Sequence, residues 1–239
     1  VSAEKVDAGV AGLAAPVRAG ALVVCDAVSR TFRRGGVEVA AVRAASCRVE
    51  SGMRVALTGP SGSGKSTLLH LLAGLDTPTG GHLSWPGLGG LPRERPGTVG
   101  MVFQGPSLIP ALDVVENVAL PLLLAGLGET EAVERACAAL DRLRIGELGV
   151  RLPHEISGGQ AQRVAVARVL ASRPRMILAD EPTGQLDHDT GDRVVSVLLE
   201  TADELGAALV VSTHDAQVAR RLSRCWRMDD GRLGIEAAS

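Results

Sequence analysis

Three short apolar runs stand out along the chain: Val55-Ala56-Leu57, Met176-Ile177-Leu178-Ala179, and Ala207 to Ser212 (AALVVS). The last two carry no polar alternation, which is the form of a parallel strand buried on both faces. Further strands are expected over Ala21 to Val28, Val37 to Val49 and Thr98 to Phe103, the first two separated by the turn Arg33-Arg34-Gly35-Gly36. A Gly- and Pro-rich excursion of turns and small strands occupies Gly74 to Gly97. Helical periodicity appears over Asp113 to Leu127 and Glu129 to Ile145, with Asp113 placed as an N-cap, Glu116 three residues on, and Thr130 in a similar place for the second helix. Another helix starts at Ser157 as N-cap and runs through Gln160 to Ala171, with Val166, Val169 and Leu170 on one face. Helices over Asp189 to Leu205 and Asp215 to Leu222 follow, and Cys225 to Met228 with Arg232 to Ile235 form a closing hairpin around Asp230-Gly231.

At 239 residues and 46% hydrophobic content the chain supports one large α/β domain, read here as residues 21–239 after a disordered tail over 1–20. A net charge of -2 offers no basic surplus for a phosphate backbone, so no nucleic acid is expected as partner. The four cysteines, Cys25, Cys47, Cys137 and Cys225, show no ligand spacing and are expected to be reduced, buried and structural. The most apolar segment, Val118 to Leu127, contains Pro121 and Gly126 and is far too short to span a bilayer.

Chemistry enters right after the first apolar run. Gly59-Pro60-Ser61-Gly62-Ser63-Gly64-Lys65-Ser66-Thr67 has the spacing Gly-x4-Gly-Lys-Ser between a strand and a helix, the Walker A pattern. Small residues there let consecutive backbone N–H groups close around phosphate oxygens at the positive end of a helix. The expected nucleotide-binding set is therefore Gly59, Ser61, Gly62, Ser63, Gly64, Lys65, Ser66 and Thr67, with Lys65 reaching the β and γ phosphates and the Ser66 hydroxyl on Mg²⁺. Lys65 is one of two lysines beside 23 arginines, so a compact point charge stands where one is wanted.

Asp180 and Glu181 end the second apolar run, where a Walker B acid would hold Mg²⁺ and a neighbouring carboxylate would serve as general base to the attacking water. His214 ends the third run, either as a structural cap or beside the γ-phosphate. Phe32, one of four aromatic residues, either stacks on a nucleotide base or is an ordinary strand residue. Gln104 follows the strand over Thr98 to Phe103 and can reach Mg²⁺ or the attacking water. Beyond it, Leu108 and Ile109 either present a docking surface or fold under as local core.

Ile156-Ser157-Gly158-Gly159-Gln160 resembles the LSGGQ signature of the ABC-transporter ATPases, and Gln160 to Arg168 resembles the QQRVAIAR segment that follows it there. Gln104 matches the Q-loop of that family, Glu181-Pro182-Thr183-Gly184-Gln185-Leu186-Asp187 its Walker B and D-loop, and Thr213-His214-Asp215 its H-loop. The resemblance covers Leu22 to Leu233, with Phe32 for the usual Tyr, and Ile156, Ala161 and Gln185 as mild departures. Gly74 to Gly81, Leu108 to Leu122 and Ala179 to Gly184 look most like the branch of lipoprotein-releasing, macrolide-exporting and cell-division ATPases.

The resemblance implies a P-loop NTPase (RecA-like) α/β core with an antiparallel β subdomain and a helical insert at about 106–172. It implies ATP hydrolysis with ATP and Mg²⁺ as cofactors, Glu181, His214 and Gln104 as catalytic residues, and Ser66, Gln104 and Asp180 at the metal. Ser157, Gly158, Gly159 and Gln160 would act on the ATP of a second ABC ATPase domain, identical or related, with Asp187 in the D-loop. A helix start with two glycines exposes free N–H groups, which suits a γ-phosphate. Implied partners are that second domain and integral membrane permease subunits, which would hold the chain peripherally on the cytoplasmic face of the membrane. The alternatives are a mechanical switch of the cell-division type and a soluble DNA-repair ATPase, the latter disfavoured by the absence of a coiled-coil insertion and of basic excess.

Overall fold

A computed structural model describes residues 20–235. The expected tail over 1–20 falls almost wholly outside them. The strands are β1 (Ala21–Arg34), β2 (Val37–Glu50), β3 (Arg54–Thr58), β4 (Gly80–Ser84), β5 (Val99–Val102), β6 (Met176–Asp180), β7 (Ala208–Ser212), β8 (Arg224–Asp229) and β9 (Arg232–Ile235). The helices are α1 (Lys65–Leu72), α2 (Val114–Leu124), α3 (Glu129–Arg142), α4 (Gly158–Ala171), α5 (His188–Leu205) and α6 (Ala216–Arg220).

Two sheets form. β2, β1 and β4 make an antiparallel sheet in that order, and the second runs β5-β6-β7-β3-β8-β9. In it β5, β6, β7, β3 and β8 are parallel, and β9 returns antiparallel as the expected closing hairpin. The short apolar runs are its central strands, and every residue of β6 and β7 is buried. Alternation splits their side chains between two cores. Val55, Leu57, Met176, Leu178, Ala208 and Val210 pack with α1 and the β1–β2 sheet, while Ala56, Ile177, Ala179, Leu209 and Val211 pack with α2 to α5.

The helical insert begins with a capping box: Asp113 accepts from Glu116 N–H at 2.8 Å and Glu116 returns the bond to Asp113 N–H at 2.8 Å. Its helices end earlier than periodicity predicts. Gly126, at φ +90°, stops α2 at Leu124, and Ile145 N–H bonds back to Leu140 carbonyl after Arg144 turns left-handed, so α3 stops at Arg142. The N-cap of α3 is Gly128, and Thr130 lies inside the first turn. Helix α4 does not have one apolar face. Val164, Ala165, Val166, Ala167, Val169, Leu170 and Ala171 are all buried, because α2, α3 and the sheet enclose the helix.

The cysteine expectation holds only in part. Cys25 and Cys47 are buried and face each other across β1 and β2, but Cys137 is exposed on α3 and Cys225 is half-buried beside Thr58. Among the described residues no helix is long and apolar enough to cross a membrane.

Candidate functional site

The Gly59 to Thr67 loop leaves β3 at its carboxyl end and enters α1, with Gly59, Gly62 and Gly64 at φ +141°, +78° and +100°. At two of these even a methyl group is excluded: a Cβ on Gly59 would lie 2.1 Å from the Met228 carbonyl oxygen, and on Gly64 2.0 Å from that of Ala41. The Met228 carbonyl on β8 and the Ala41 carbonyl on β2 thus close in on the loop, which leads into the unpaired first-turn N–H groups of α1. Lys65 is buried and its Nζ donates to the carbonyls of Gly59 and Pro60 at 2.9 and 3.0 Å, folded over the loop it would serve. Ser63 Oγ is buried with no hydrogen-bond partner.

A cavity of about 440 Å³ opens above the loop, lined by Ala41, Gly59, Pro60, Ser61, Gly62, Gly64, Lys65, Ser66, Thr67, Gln104, Glu181 and His214. The strand order explains the convergence. β7 lies between β3 and β6, so the segments leaving β3, β6 and β7 emerge side by side along one edge, where ligands bind in open α/β sheets. Gln104 comes from the end of β5 and is exposed.

Asp180 does not line the cavity. It is 5% exposed at the end of β6, and its Oδ1 accepts a short bond from the buried hydroxyl of Ser212. The same Ser212 oxygen accepts from Glu181 N–H at 2.9 Å. Glu181 sits at φ +44°, a left-handed conformation that costs energy for a side chain of its size, and it lines the cavity while Asp180 before it does not. Its Oε2 lies 3.4 Å from Nδ1 of His214, whose ring is largely exposed.

Phe32 lies apart from this cavity. Its ring is 41% exposed, so it is not part of either core, and it pairs across the sheet with Val39. Two residues beyond Val39, Ala41 stands at a bulge of β2, unpaired between Ala40 and Val42, and lines the cavity. One face of the ring is covered by Arg30, whose Cζ lies 4.5 Å from the centroid and whose guanidinium is held by Asp76 at 2.8 and 2.9 Å.

The Ser157-Gly158-Gly159-Gln160 helix start is not part of the chain's own cavity either. Ser157 Oγ accepts from Gln160 N–H at 3.2 Å while Gln160 Oε1 accepts from Ser157 N–H at 2.8 Å. The amide of Gln160 is therefore engaged in the cap, whereas the Ser157 O–H proton stays available as a donor. Gly159 faces Leu186, to which a Cβ would stand at 3.2 Å, so the segment after Glu181 packs against the helix start. Asp187 caps α5, accepting from Thr190 N–H at 3.0 Å, and that bond holds its carboxyl below the usual range.

Sequence reasoning missed Ser212 and Ala41. Ser212 is a small polar residue at a strand end, and only the pairing of β7 with β6 reveals its partner. Ala41 carries no chemical signal.

The family model described as ABC transporter matches residues 42–184. The chain is 39% identical over 219 residues to the lipoprotein-releasing system ATP-binding protein LolD of Shewanella denitrificans, covering 89% of this chain and 94% of that protein. It is 42% identical over 217 residues to the ABC transporter ATP-binding protein YbbA of Escherichia coli, covering 88% of this chain and 95% of that one. The dimeric ATP-binding cassette MJ0796 bound to ADP and Pi superposes with a TM-score of 0.85 at 35% identity, over 91% of this chain and 99% of that one.

Proposed function

Since the chain belongs to the ABC transporter family of ATP-binding subunits, we propose how its residues divide the work of ATP hydrolysis. The convergence of the phosphate loop, Gln104, Glu181 and His214 on one cavity carries the reading. Backbone amides of Gly62 to Thr67, that of Ser63 included, and the Lys65 ammonium bind the β and γ phosphates, while the Ser63 side chain stays buried outside the cavity lining. Phe32 stacks on the base, with Arg30 behind the ring. The donors available for a cation, Ser66, Gln104 and Asp180, are all oxygen ligands, as Mg²⁺ requires, and would hold it together with phosphate oxygens. Bound there, Mg²⁺ would neutralise charge developing on the phosphates.

Glu181 takes the proton from the attacking water, and His214 holds the Glu181 carboxylate in place from 3.4 Å. Asp180, whose Oδ1 is taken by Ser212, would hold the metal through its other carboxylate oxygen, directly or through water. Ser157, with its free O–H and the open amides of Gly158 and Gly159, completes the ATP site of a second cassette, so catalysis requires a dimer. Relatives named for lipoprotein release support a membrane permease as the partner that converts dimer closure into work, with the chain on the cytoplasmic face.

The decisive experiment is Glu181→Gln. It removes the base and leaves the phosphate contacts, so hydrolysis is lost while ATP still binds and an ATP-bound dimer accumulates in size-exclusion chromatography. Turnover within about threefold of the unmodified protein would falsify the assignment. Co-purification from detergent-solubilised membranes tests the permease partner independently.

A further inference from the structure

The first part of the loop between β5 and α2 is held at two points by a single helix. Gln162 Nε2 donates to the carbonyl of Phe103 at 3.1 Å, one residue before Gln104. Arg168 grips Ser107 with both arms, Nη1 on its carbonyl at 3.0 Å and Nη2 on its Oγ at 2.9 Å. Both donors belong to α4, the helix that begins at Ser157. Between the two anchors only Gln104, Gly105 and Pro106 remain, and Gln104 and Gly105 are exposed. Past them Asn117 on α2, itself buried, fixes the Ile109 N–H at 2.7 Å and its carbonyl at 3.1 Å.

These anchors are not what packing alone would select. Gln162 is 1% exposed and its Oε1 is buried without a partner, a situation disfavoured against an apolar residue of the same shape. What the position gains is the bond to Phe103. Ser107 sits at φ +39°, outside the ordinary range for a residue with a side chain, and the fork of Arg168 fits its carbonyl and hydroxyl together. A helix buried on nearly all sides moves as a rigid element.

We propose that Gln162 and Arg168 are positioning residues for Gln104. Through them α4 carries the engagement of its Ser157 end with a second cassette's nucleotide to the placement of Gln104 in its own cavity. This rests on Gln104 acting in the hydrolytic site. The coupling works in both directions, because any element with two positions transmits bias from either end.

The test is a double-mutant cycle on the full chain, comparing Arg168→Lys, Gln104→Ala and the pair. Lysine keeps the apolar stem and the charge but cannot bind carbonyl and hydroxyl in the same fork, so the fold is preserved and the clamp is lost. Arg168→Lys should lower kcat about fivefold while the affinity for a fluorescent ATP analogue stays within about twofold, and it should add nothing in the Gln104→Ala background. An equal loss in both backgrounds, or no loss in the first, overturns the clamp. Wild-type turnover in Gln104→Ala alone overturns the reading of Gln104 and the clamp with it, whereas an impaired Gln104→Ala beside an unimpaired Arg168→Lys sinks the clamp only. Gln162→Leu, which fills the same space without the donor, should follow the same pattern, and an additive effect there counts against the proposal.

Discussion

Ser212 and Asp180 end two neighbouring parallel strands in register, and the Ser212 hydroxyl donates to the Asp180 carboxylate while taking the N–H of Glu181. One buried oxygen therefore fixes both the acid assigned to the metal and the backbone of the acid assigned to the water. Ser212→Ala leaves the Glu181 N–H with only its longer bond to the Ser212 carbonyl, at 3.2 Å, and frees the Asp180 side chain. The expected result is a loss of about 1–2 kcal/mol in thermal or chemical unfolding and a fall of about tenfold in turnover, with Mg²⁺-free ATP binding unchanged. Turnover equal to the unmodified protein would show that the bridge is structural only.

Phe32 divides ring stacking from ring placement. Phe32→Ala should weaken ATP binding by about 1–3 kcal/mol, and GTP binding similarly, since stacking is tolerant of base identity. Arg30→Ala keeps the ring but uncovers its rear face and releases Asp76, so a smaller loss of about 0.5–1 kcal/mol is expected. Titration with a fluorescent ATP analogue measures both, and an unchanged dissociation constant in Phe32→Ala would return this residue to a purely structural role.

Leu108 and Ile109, adjacent in sequence, part company in the structure. Leu108 packs against the core under the helical insert, whereas Ile109 is 40% exposed. Leu108→Glu should thus destabilise the protein by about 2 kcal/mol or more, and Ile109→Glu by less than about 0.5 kcal/mol. Differential scanning calorimetry distinguishes them. The further expectation, that Ile109→Glu alone reduces capture of a membrane partner at unchanged basal hydrolysis, is read from the same proteins by co-purification.

Gly64→Ala tests the shape of the phosphate loop. The added methyl would meet the Ala41 carbonyl at 2.0 Å at a backbone conformation of φ +100°. A loss of at least about 2 kcal/mol in stability together with loss of ATP binding is expected. Retention of both would mean that β2 yields to the loop.

Much was legible without coordinates because its chemistry is local. The phosphate loop needs nine consecutive residues between a strand and a helix, and its glycines declare the backbone they adopt. The capping boxes at Asp113 and Ser157 satisfy backbone donors three residues away, so spacing alone reveals them. The runs that became β6 and β7 were readable because a strand buried on both faces has no polar alternation. Helix ends were less legible: α2 and α3 stop at left-handed residues that periodicity does not register.

By itself, then, the sequence determined the order of the elements, the phosphate loop, and which acids and which histidine stand at strand ends. Only the tertiary structure decided what those ends meet. β7 inserts between β3 and β6, which sets Ser212 against Asp180 and Glu181, and brings His214 to the same cavity as Gln104. It likewise decided that Ser157 lies away from its own chain's cavity, that Cys137 is exposed while Cys25 is not, and that Gln162 and Arg168 reach back about sixty residues to the Gln104 loop. The reason is range. Caps, turns and strand patterns are set by interactions within a few residues, while strand order and helix burial are set by the global competition to cover apolar surface, and polar contacts between distant residues follow from that outcome.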